Sequence, residues 1–476
     1  DQAPSVDYAT VSKIISEEFN GKKPEELFKS FDKEPVASAS IAQVHRATMH
    51  DGTPVAVKVQ KPEIQVQLGW DLACFRLLAW SFEKIFDMPM YWMVDTVDQA
   101  VRLEGDFRVE GVNAELCAED VSGRMAVHVP RVAWDRTTKR VLTMEWIEGV
   151  KISDSEGLKA MGFRPDQVAK LMVELFAHQI FISGFVHADP HPGNILVRRR
   201  PGSSRGPQLV LLDHGSYLSC SEPFRKQLAD FWTAMLVLDT ATVEATCRTW
   251  GVRDSQLFAS LQLLKPYAPE TRAVHLQNTS RAQVLSMQLA AFERARTMLA
   301  DSEALPRELI MLGRNLNIVR ANNKGLGSPV NRIGIMARYA AEGACSVRMD
   351  CADARAEDRA WFERRTAHMP PPTDGAAPHH NKTDTTTTGE EQKQRRGARV
   401  FSGHVRHVRR LVFESQLLVL AWVYYSTQLW RALSSALLGR KAAGFEDLLE
   451  ASVAQTMESQ LGFRVQFDGG VDKCFG

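Results

Sequence analysis

Apolar residues set a changing rhythm along the chain. Val6, Ile14, Ile15, Phe19 and Leu27 recur at roughly helical spacing, so residues 6–30 are predicted to be helical, with interruptions at Gly21 and Pro24. The period then shortens. Ser40 to Arg46 and Thr53 to Gln60 read as two strands joined by a turn at Asp51-Gly52, and Pro62 closes the second. Helical patterns return over 64–86 and 95–120. Arg140 to Trp146 is again strand-like and runs into the acidic, glycine-terminated turn Glu145-Trp146-Ile147-Glu148-Gly149. Pro165 to Gly184 is predicted to be an amphipathic helix, with proline at its start and glycine at its end. A short strand pair brackets an Arg/Gly/Ser/Pro loop at 198–207, and from 222 to about 366 the pattern is helical.

At Met369 the pattern stops. Residues 370–392 are Pro, Thr, Gly, His and charged residues, which predicts a disordered linker over 367–400. From Lys393 to Arg410 there are seven Lys or Arg, two His and no acid. Residues 415–430 then carry no charge and include Leu417-Leu418-Val419-Leu420-Ala421-Trp422-Val423-Tyr424-Tyr425. A membrane-spanning helix needs about 20 apolar residues. The run is therefore short for a span. It suits a helix lying on an anionic membrane surface beside its cationic neighbours, over 393–438, or a helix packed against the preceding domain.

Composition narrows the class. Of 476 residues, 44% are hydrophobic and 24% charged, ordinary values for a chain with a sizeable core. Lys plus Arg number 58 against 57 Asp plus Glu, which leaves no global basic field and excludes a dedicated nucleic-acid binder. The seven cysteines, at 74, 117, 220, 247, 345, 351 and 474, are odd in number and none is spaced CxxC. A disulfide scaffold or a structural zinc site is therefore not expected.

Three short segments carry chemistry when taken together. Val55-Ala56-Val57-Lys58 is a strand ending in lysine. His187-Ala188-Asp189-Pro190-His191-Pro192-Gly193-Asn194 lies on the loop after the 165–184 helix. Asp213-His214-Gly215 follows the apolar strand Leu209-Val210-Leu211-Leu212. In this order they match the phosphoryl-transfer kit of protein kinases: a strand lysine, a loop Asp with Asn five residues on, and a metal-binding Asp before Gly. A triphosphate concentrates negative charge, which calls for Lys58. Asn194 and Asp213 offer the hard oxygen ligands that Mg²⁺ prefers. Asp189 is suited to orient or deprotonate an acceptor hydroxyl.

The longer strings Pro35-Val36-Ala37-Ser38-Ala39-Ser40-Ile41-Ala42-Gln43-Val44-His45 and Glu104-Gly105-Asp106-Phe107-Arg108-Val109-Glu110, with the loop above, closely resemble the UbiB/aarF-domain family of atypical kinases. The resemblance covers about residues 1–340. It implies an α+β, protein-kinase-like two-lobed fold. Its parts are a helical N-terminal extension (1–30), a small lobe (31–148), a mainly helical large lobe (149–366) and a helical C-terminal extension (401–476) beyond the linker. It also implies site roles. Ala37, Ser38, Ala39 and Ser40 replace the glycine-rich nucleotide loop of ordinary kinases, with Ser38 where the family has Ala. Lys58 would contact phosphate and pair with Glu110. Glu145 and Ile147 would line the nucleotide at the hinge. Glu104 and Asp106 would form the family's extra acidic pair near the metal. Alanine approaches phosphate less easily than glycine, so unusual nucleotide selectivity and restrained transfer are implied. Ser38 is expected to bond backbone through its hydroxyl. His187 is expected to anchor the loop by packing, with no transition metal involved.

Departures from ordinary protein kinases narrow the acceptor. Ala188 stands where an Arg would dock a phosphorylated activation loop. His191 stands where a Lys would follow the loop Asp by two residues. No Ala-Pro-Glu platform for a peptide follows Gly215. These features favour a small-molecule or lipid acceptor, or ATP hydrolysis, over peptide phosphorylation. The family's KxGQ motif is not found here, although Asp1 to Pro4 resembles the stretch that follows it, so autoinhibition is not carried over. The resulting expectation is an atypical kinase or ATPase using ATP or ADP with Mg²⁺. The resemblance implies a role in mitochondrial coenzyme Q or lipid homeostasis, associated with the inner membrane. The alternatives are a nucleotide-sensing pseudokinase scaffold and, less favoured, a protein Ser/Thr kinase.

Overall fold

The computed structural model describes residues 4–39, 41–86, 94, 105–202, 206–252, 255–263, 306–345 and 424–425. Ser40, Glu104, the 367–400 linker and the 401–476 segment other than its two tyrosines lie outside the described residues.

Asp7 starts the first helix, α1 (Tyr8–Glu18), by accepting the Thr10 N–H at 3.1 Å. The backbone turns left-handed at Asn20 and Gly21, and a short α2 (Pro24–Leu27) follows. The helix predicted over 6–30 is therefore two helices, because consecutive positive-φ residues cannot continue a right-handed one. Strands β1 (Ser30–Phe31), β2 (Ala37–Ser38), β3 (Ala42–Thr48) and β4 (Pro54–Gln60) come next. They are followed by the helices α3 (Glu63–Phe86) and α4 (Phe107–Val121), then β5 (Val127–His128) and β6 (Val141–Glu145).

The first sheet runs β1-β3-β4-β6, antiparallel throughout, with β2 pairing on β3. Strand period decides its chemistry. Val55, Val57 and Val59 point one way and pack with Val11, Ile14 and Ile15 of α1, Phe28 and Val141. Lys58, one residue out of that register, must point the other way, toward α4. The same hydrophobic alternation that builds the small lobe thus delivers a lysine to its opposite face.

The large lobe adds β7 (Val150–Lys151), α5 (Ser155–Ala160), α6 (Pro165–His178), β8 (Phe185–His187), β9 (Ile195–Arg199), β10 (Pro207–Leu211) and β11 (Tyr217–Ser219). Five helices complete it: α7 (Glu222–Leu236), α8 (Thr240–Thr249), α9 (Ser255–Leu263), α10 (Arg307–Gly325) and α11 (Arg332–Cys345). A second sheet has the order β5-β10-β9-β7, and β8 pairs with β11. Val168, Met172, Val173, Leu175 and Phe176 of α6 are fully buried at the centre of this lobe. Each such side chain contributes roughly 1.5–3 kcal/mol on leaving water.

At its C-terminal end α6 widens into a π turn over Gln179–Ser183 and stops at Gly184, whose φ of 72° suits glycine. The widened turn exposes the Phe181 carbonyl, which Arg225 Nη1 reaches at 2.7 Å. Gly343 of α11 lies so close that a Cβ there would sit 2.3 Å from the same oxygen, so this helix contact requires glycine.

One boundary differs from expectation. Ala114, Cys117, Val121, Val127 and Val129 precede residue 148 yet belong to the large-lobe core, and β5 pairs in parallel with β10. The helix predicted over 95–120 is described from Phe107, where Asp106 caps it, to Val121. It is shared: Phe107 packs with the small lobe's Ala42 and Leu142, and Ala114 onward with the large lobe.

Of the apolar run 415–430, Tyr424 and Tyr425 are described. Tyr424 is buried and its hydroxyl donates to the Pro329 carbonyl, while Tyr425 is exposed. Among the described residues no helix is long and apolar enough to cross a membrane.

Candidate active site

Four predicted residues converge where the lobes meet. Lys58 Nζ donates to both oxygens of Glu110, at 2.8 and 2.9 Å, and lies 3.7 Å from Asp213 Oδ1. Asn194 Nδ2 is 3.3 Å from Asp213 Oδ2. The Gly215 N–H fixes Asp213 Oδ1 at 3.0 Å. Strand β4, helix α4, the 3₁₀ turn at Pro192–Asn194 and the loop after β10 each supply one group.

Two carboxylates share the one ammonium, and they share it unequally. Lys58 holds Asp213 far below the usual carboxylate range, overcoming the opposing effect of burial, and the Gly215 N–H deepens the shift. For Glu110, 5% exposed, burial dominates. It raises the carboxyl to about 7 against the pull of Lys58, and Asp213 adds repulsion. Burial acts to lower Lys58, but Asp213 and Glu110 together raise it above its ordinary value.

Beneath Asp213 the polar groups satisfy one another. Burial pushes His214 down to about 3, so its ring is neutral. Its Nε2 lies 3.1 Å from the Leu211 carbonyl and its Nδ1 2.9 Å from the Tyr217 hydroxyl. Burial holds Tyr217 well above its ordinary value, so the phenol stays protonated and can donate to Nδ1. Asn113 Nδ2 of α4 donates to the His214 carbonyl at 3.0 Å. The helix that carries Glu110 thereby grips the Asp213 loop directly.

Asp189 is held by different means. The buried His187 accepts the Asp189 N–H on Nδ1 at 3.1 Å, which requires an unprotonated nitrogen, and burial lowers this histidine accordingly. His187 is thus the packed anchor that the sequence suggests. Ala188 N donates to the Ser216 carbonyl at 3.0 Å, tying this loop to the Asp213 loop. His191 Nδ1 accepts the Gly193 N–H at 3.2 Å, so that ring folds back over its own loop.

Helix α10 supplies three partners absent from the sequence reading. Asn315 Nδ2 donates to the His187 carbonyl at 2.6 Å, Asn322 Nδ2 donates to the Pro190 carbonyl at 3.0 Å, and Arg314 Nη2 lies 3.2 Å from Asp189 Oδ2. Asn315 and Asn322 are seven residues apart, two helical turns, and so share a face. Buried asparagines at that spacing within an otherwise apolar stripe are the signal that could have revealed the cradle.

The alanine-rich loop is a tight hairpin. Ala37 and Ser38 pair with Val44 and Gln43, and Ala39 N donates to the Ala42 carbonyl at 2.8 Å. The chain preceding α1 lies against it. Buried Lys61 donates to the Ala39 carbonyl at 2.6 Å and to the Pro4 carbonyl at 2.8 Å. Ser38 Oγ donates to the same Pro4 oxygen at 3.4 Å, the backbone bond expected of it. Buried Gln43 exchanges hydrogen bonds with both Val6 backbone groups, at 2.8 and 3.2 Å. A lysine just after β4 and a glutamine within β3, neither singled out by motif, therefore bind the N-terminal segment to the loop and its strand.

Other predicted residues are engaged elsewhere. Asp106 caps α4, accepting the Arg108 N–H at 3.0 Å, and forms a bidentate pair with the Arg108 guanidinium at 3.0 and 2.6 Å. Both its oxygens are occupied, and the structure does not join it to the Lys58 cluster. Glu145 ends β6 with its carboxylate 3.0 Å from His128 Nε2, and its backbone N–H donates to the Arg131 carbonyl at 2.8 Å. Ile147 is buried in the stretch that joins β6 to β7. Ser40 and Glu104 lie outside the described residues.

A divalent cation fits this donor set. Asp213 Oδ2 and the Asn194 side chain are within bonding distance of each other. A half-turn of the Asn194 amide would offer an oxygen beside the carboxylate. Two hard protein ligands, completed by phosphate and water, are how Mg²⁺ is commonly held. Among the described residues no cluster of three or more His, Cys, Asp or Glu competes as a metal site.

A lysine–glutamate bridge facing an Asp–Asn pair across two lobes defines a kinase-like α+β protein. The ABC1 atypical kinase-like domain is matched over residues 1–247, and the chain belongs to that family, the UbiB/AarF kinases. It is 37% identical over 383 residues to the ABC1 family protein lscO of Purpureocillium lilacinum, covering 73% of this chain and 63% of that protein. It is 33% identical to AarF domain-containing protein kinase 1 of Xenopus tropicalis, covering 69% of this chain and 62% of that protein. The chain thus spans less than two thirds of the length of these relatives. A Mycobacterium tuberculosis protein, Rv3197, solved with erythromycin, shares 21% identity over 71% of this chain and 80% of its own, with a TM-score of 0.45.

Proposed function

We propose that the junction binds ATP or ADP with Mg²⁺ and hydrolyses ATP or transfers its terminal phosphoryl group to a small-molecule or lipid hydroxyl. One observation carries this reading: Lys58, Glu110, Asp213 and Asn194 form an unbroken chain of contacts across the two lobes. In it Lys58 contacts phosphate and Glu110 orients Lys58. Asp213 and Asn194 hold the metal. Asp189 orients the acceptor hydroxyl or takes its proton. Bound Mg²⁺ would neutralise charge on the phosphate oxygens. The backbone at Glu145 and Ile147 lies at the hinge for the base, and the Ala37–Ser40 loop covers the phosphates. Asp106 serves the site by capping the helix that carries Glu110.

The acceptor assignment rests on Ala188 and on the passage into α7 within ten residues of Gly215, which leaves no peptide platform. We place the protein in mitochondrial coenzyme Q or lipid homeostasis at the inner membrane, with the 393–438 segment as its membrane-facing part.

Thermal unfolding with ATP or ADP, with and without Mg²⁺, beside Asp213→Asn, tests the site. A ligand at about 100 times its Kd stabilises by about 2.7 kcal/mol. A Mg²⁺-dependent shift that disappears in Asp213→Asn is expected. No shift with either nucleotide on folded protein would overturn the reading and leave a scaffold role.

A further inference from the structure

The catalytic loop lacks the cation that ordinary kinases place two residues after the loop aspartate. His191 stands there, and its ring is turned back onto the Gly193 N–H at 3.2 Å. A cation nevertheless reaches Asp189 from outside the loop. Arg314 of α10 places Nη2 3.2 Å from Asp189 Oδ2, with 58% of the arginine side chain and 34% of the aspartate side chain open to solvent. A guanidinium carries five N–H donors in a rigid fork, and a single contact to Asp189 does not use them up.

The position of Arg314 is built, because the next residue on its helix is bolted to the same loop. Asn315, fully buried, donates to the His187 carbonyl at 2.6 Å. Asn322, two turns on, donates to the Pro190 carbonyl at 3.0 Å. These two bonds bracket Asp189 and fix its loop to α10 on either side. An incidental surface ion pair has no such support.

We propose that Arg314 supplies the missing cation: it holds Asp189 in place and donates to the terminal phosphoryl group of a bound triphosphate. The inference rests on the nucleotide reading above. It makes Arg314 a discriminator between triphosphate and diphosphate, since a diphosphate has no group to present to it. Arg314 is a geometric match for a planar phosphate face, so lysine would replace it only in part.

The test is equilibrium binding of ADP and of a non-hydrolysable ATP analogue, each with Mg²⁺, to the full chain and to Arg314→Gln and Arg314→Lys. The expected result is a loss of about tenfold or more in analogue affinity in Arg314→Gln, with ADP unchanged and Arg314→Lys intermediate. Turnover adds an independent readout. Arg314→Gln should lower kcat, and inorganic phosphate should compete with the analogue less well than in the unaltered chain. Equal effects on ADP and analogue, or none on either, would overturn the role of Arg314 while leaving the nucleotide site intact. Failure of the unaltered chain to bind any nucleotide would overturn the nucleotide reading itself, and this inference with it.

Discussion

Asp213 and Asp189 sit on neighbouring loops joined by the Ala188–Ser216 hydrogen bond, yet the cations beside them differ, one buried and one exposed. Asp213, with 41% of its side chain open to solvent, belongs to a bonded cluster rooted in the buried Lys58–Glu110 pair. Lys58 lies 3.7 Å away, the Gly215 N–H is fixed on one oxygen, and a neutral histidine and a protonated tyrosine lie beneath. Asp189, at 34%, is no more open than Asp213, but its partner Arg314 is itself mostly exposed. The contrast separates two tasks. Groups that bind phosphate and metal work best when fixed in advance by buried partners. A group that meets an incoming acceptor must remain reachable. The buried Lys58–Glu110 pair therefore bears on stability, and Asp189 with its exposed arginine on chemistry.

The sharpest way to break this comparison is to remove the shared ammonium. Lys58→Met leaves Glu110 buried and Asp213 without its counter-ion, which should cost about 3–5 kcal/mol, read as a fall in denaturation midpoint. A loss below about 1 kcal/mol would mean that the cluster is far wetter than its geometry indicates.

A pH series sharpens it next. Burial raises Glu110 from an ordinary 4.5 to about 7, so the folded chain keeps a proton over that window which the unfolded chain has lost. Its contribution to stability must fall as pH rises from about 4.5 to about 7 and level off above. Asp213, shifted the other way, contributes stability that is present above its ordinary 3.8 and lost only on stronger acidification. Glu110→Gln should therefore gain on the unaltered chain as pH rises through the window. A constant difference between the two would refute the assignment.

The smallest expected effect on stability is at Asp189. Asp189→Asn breaks a solvent-exposed pair and should change stability by about 1 kcal/mol or less, while nucleotide binding persists and turnover is lost. Destabilisation matching that of Lys58→Met would erase the distinction between the buried pair and Asp189.

Helix α4 explains why the buried pair is so fixed. Its first turns carry Glu110 to Lys58. Asn113 holds the His214 carbonyl, and from Ala114 onward the helix is part of the large-lobe core. Any movement that withdrew Glu110 would have to break large-lobe packing as well. The resemblance of Leu142–Gly149 to a strand entering the interlobe hinge implies a lobe boundary at 148. Packing cuts across it, since Val127–His128 finds its partner strand some 80 residues later, in Leu209–Val210.

The chain's own order of residues determined much of this protein. Alternation in Val55–Val59 put Lys58 on the face away from the hydrophobic core. Pro165 and Gly184 marked the limits of the central helix, and the Asp-x₄-Asn and Asp-His-Gly strings placed the remaining groups on loops. These are local matters: period, turn chemistry and spacing within a few residues. What only the tertiary structure decided is who meets whom across distance. Asn315 reaches His187 across 128 residues and Lys61 reaches Pro4 across 57, while Asp106 turns to Arg108 rather than toward the cluster. Such pairings depend on how helices and strands are packed in three dimensions. A side chain's neighbours across the fold leave no period in the sequence, only a buried polar residue in an apolar stripe to mark that a partner exists.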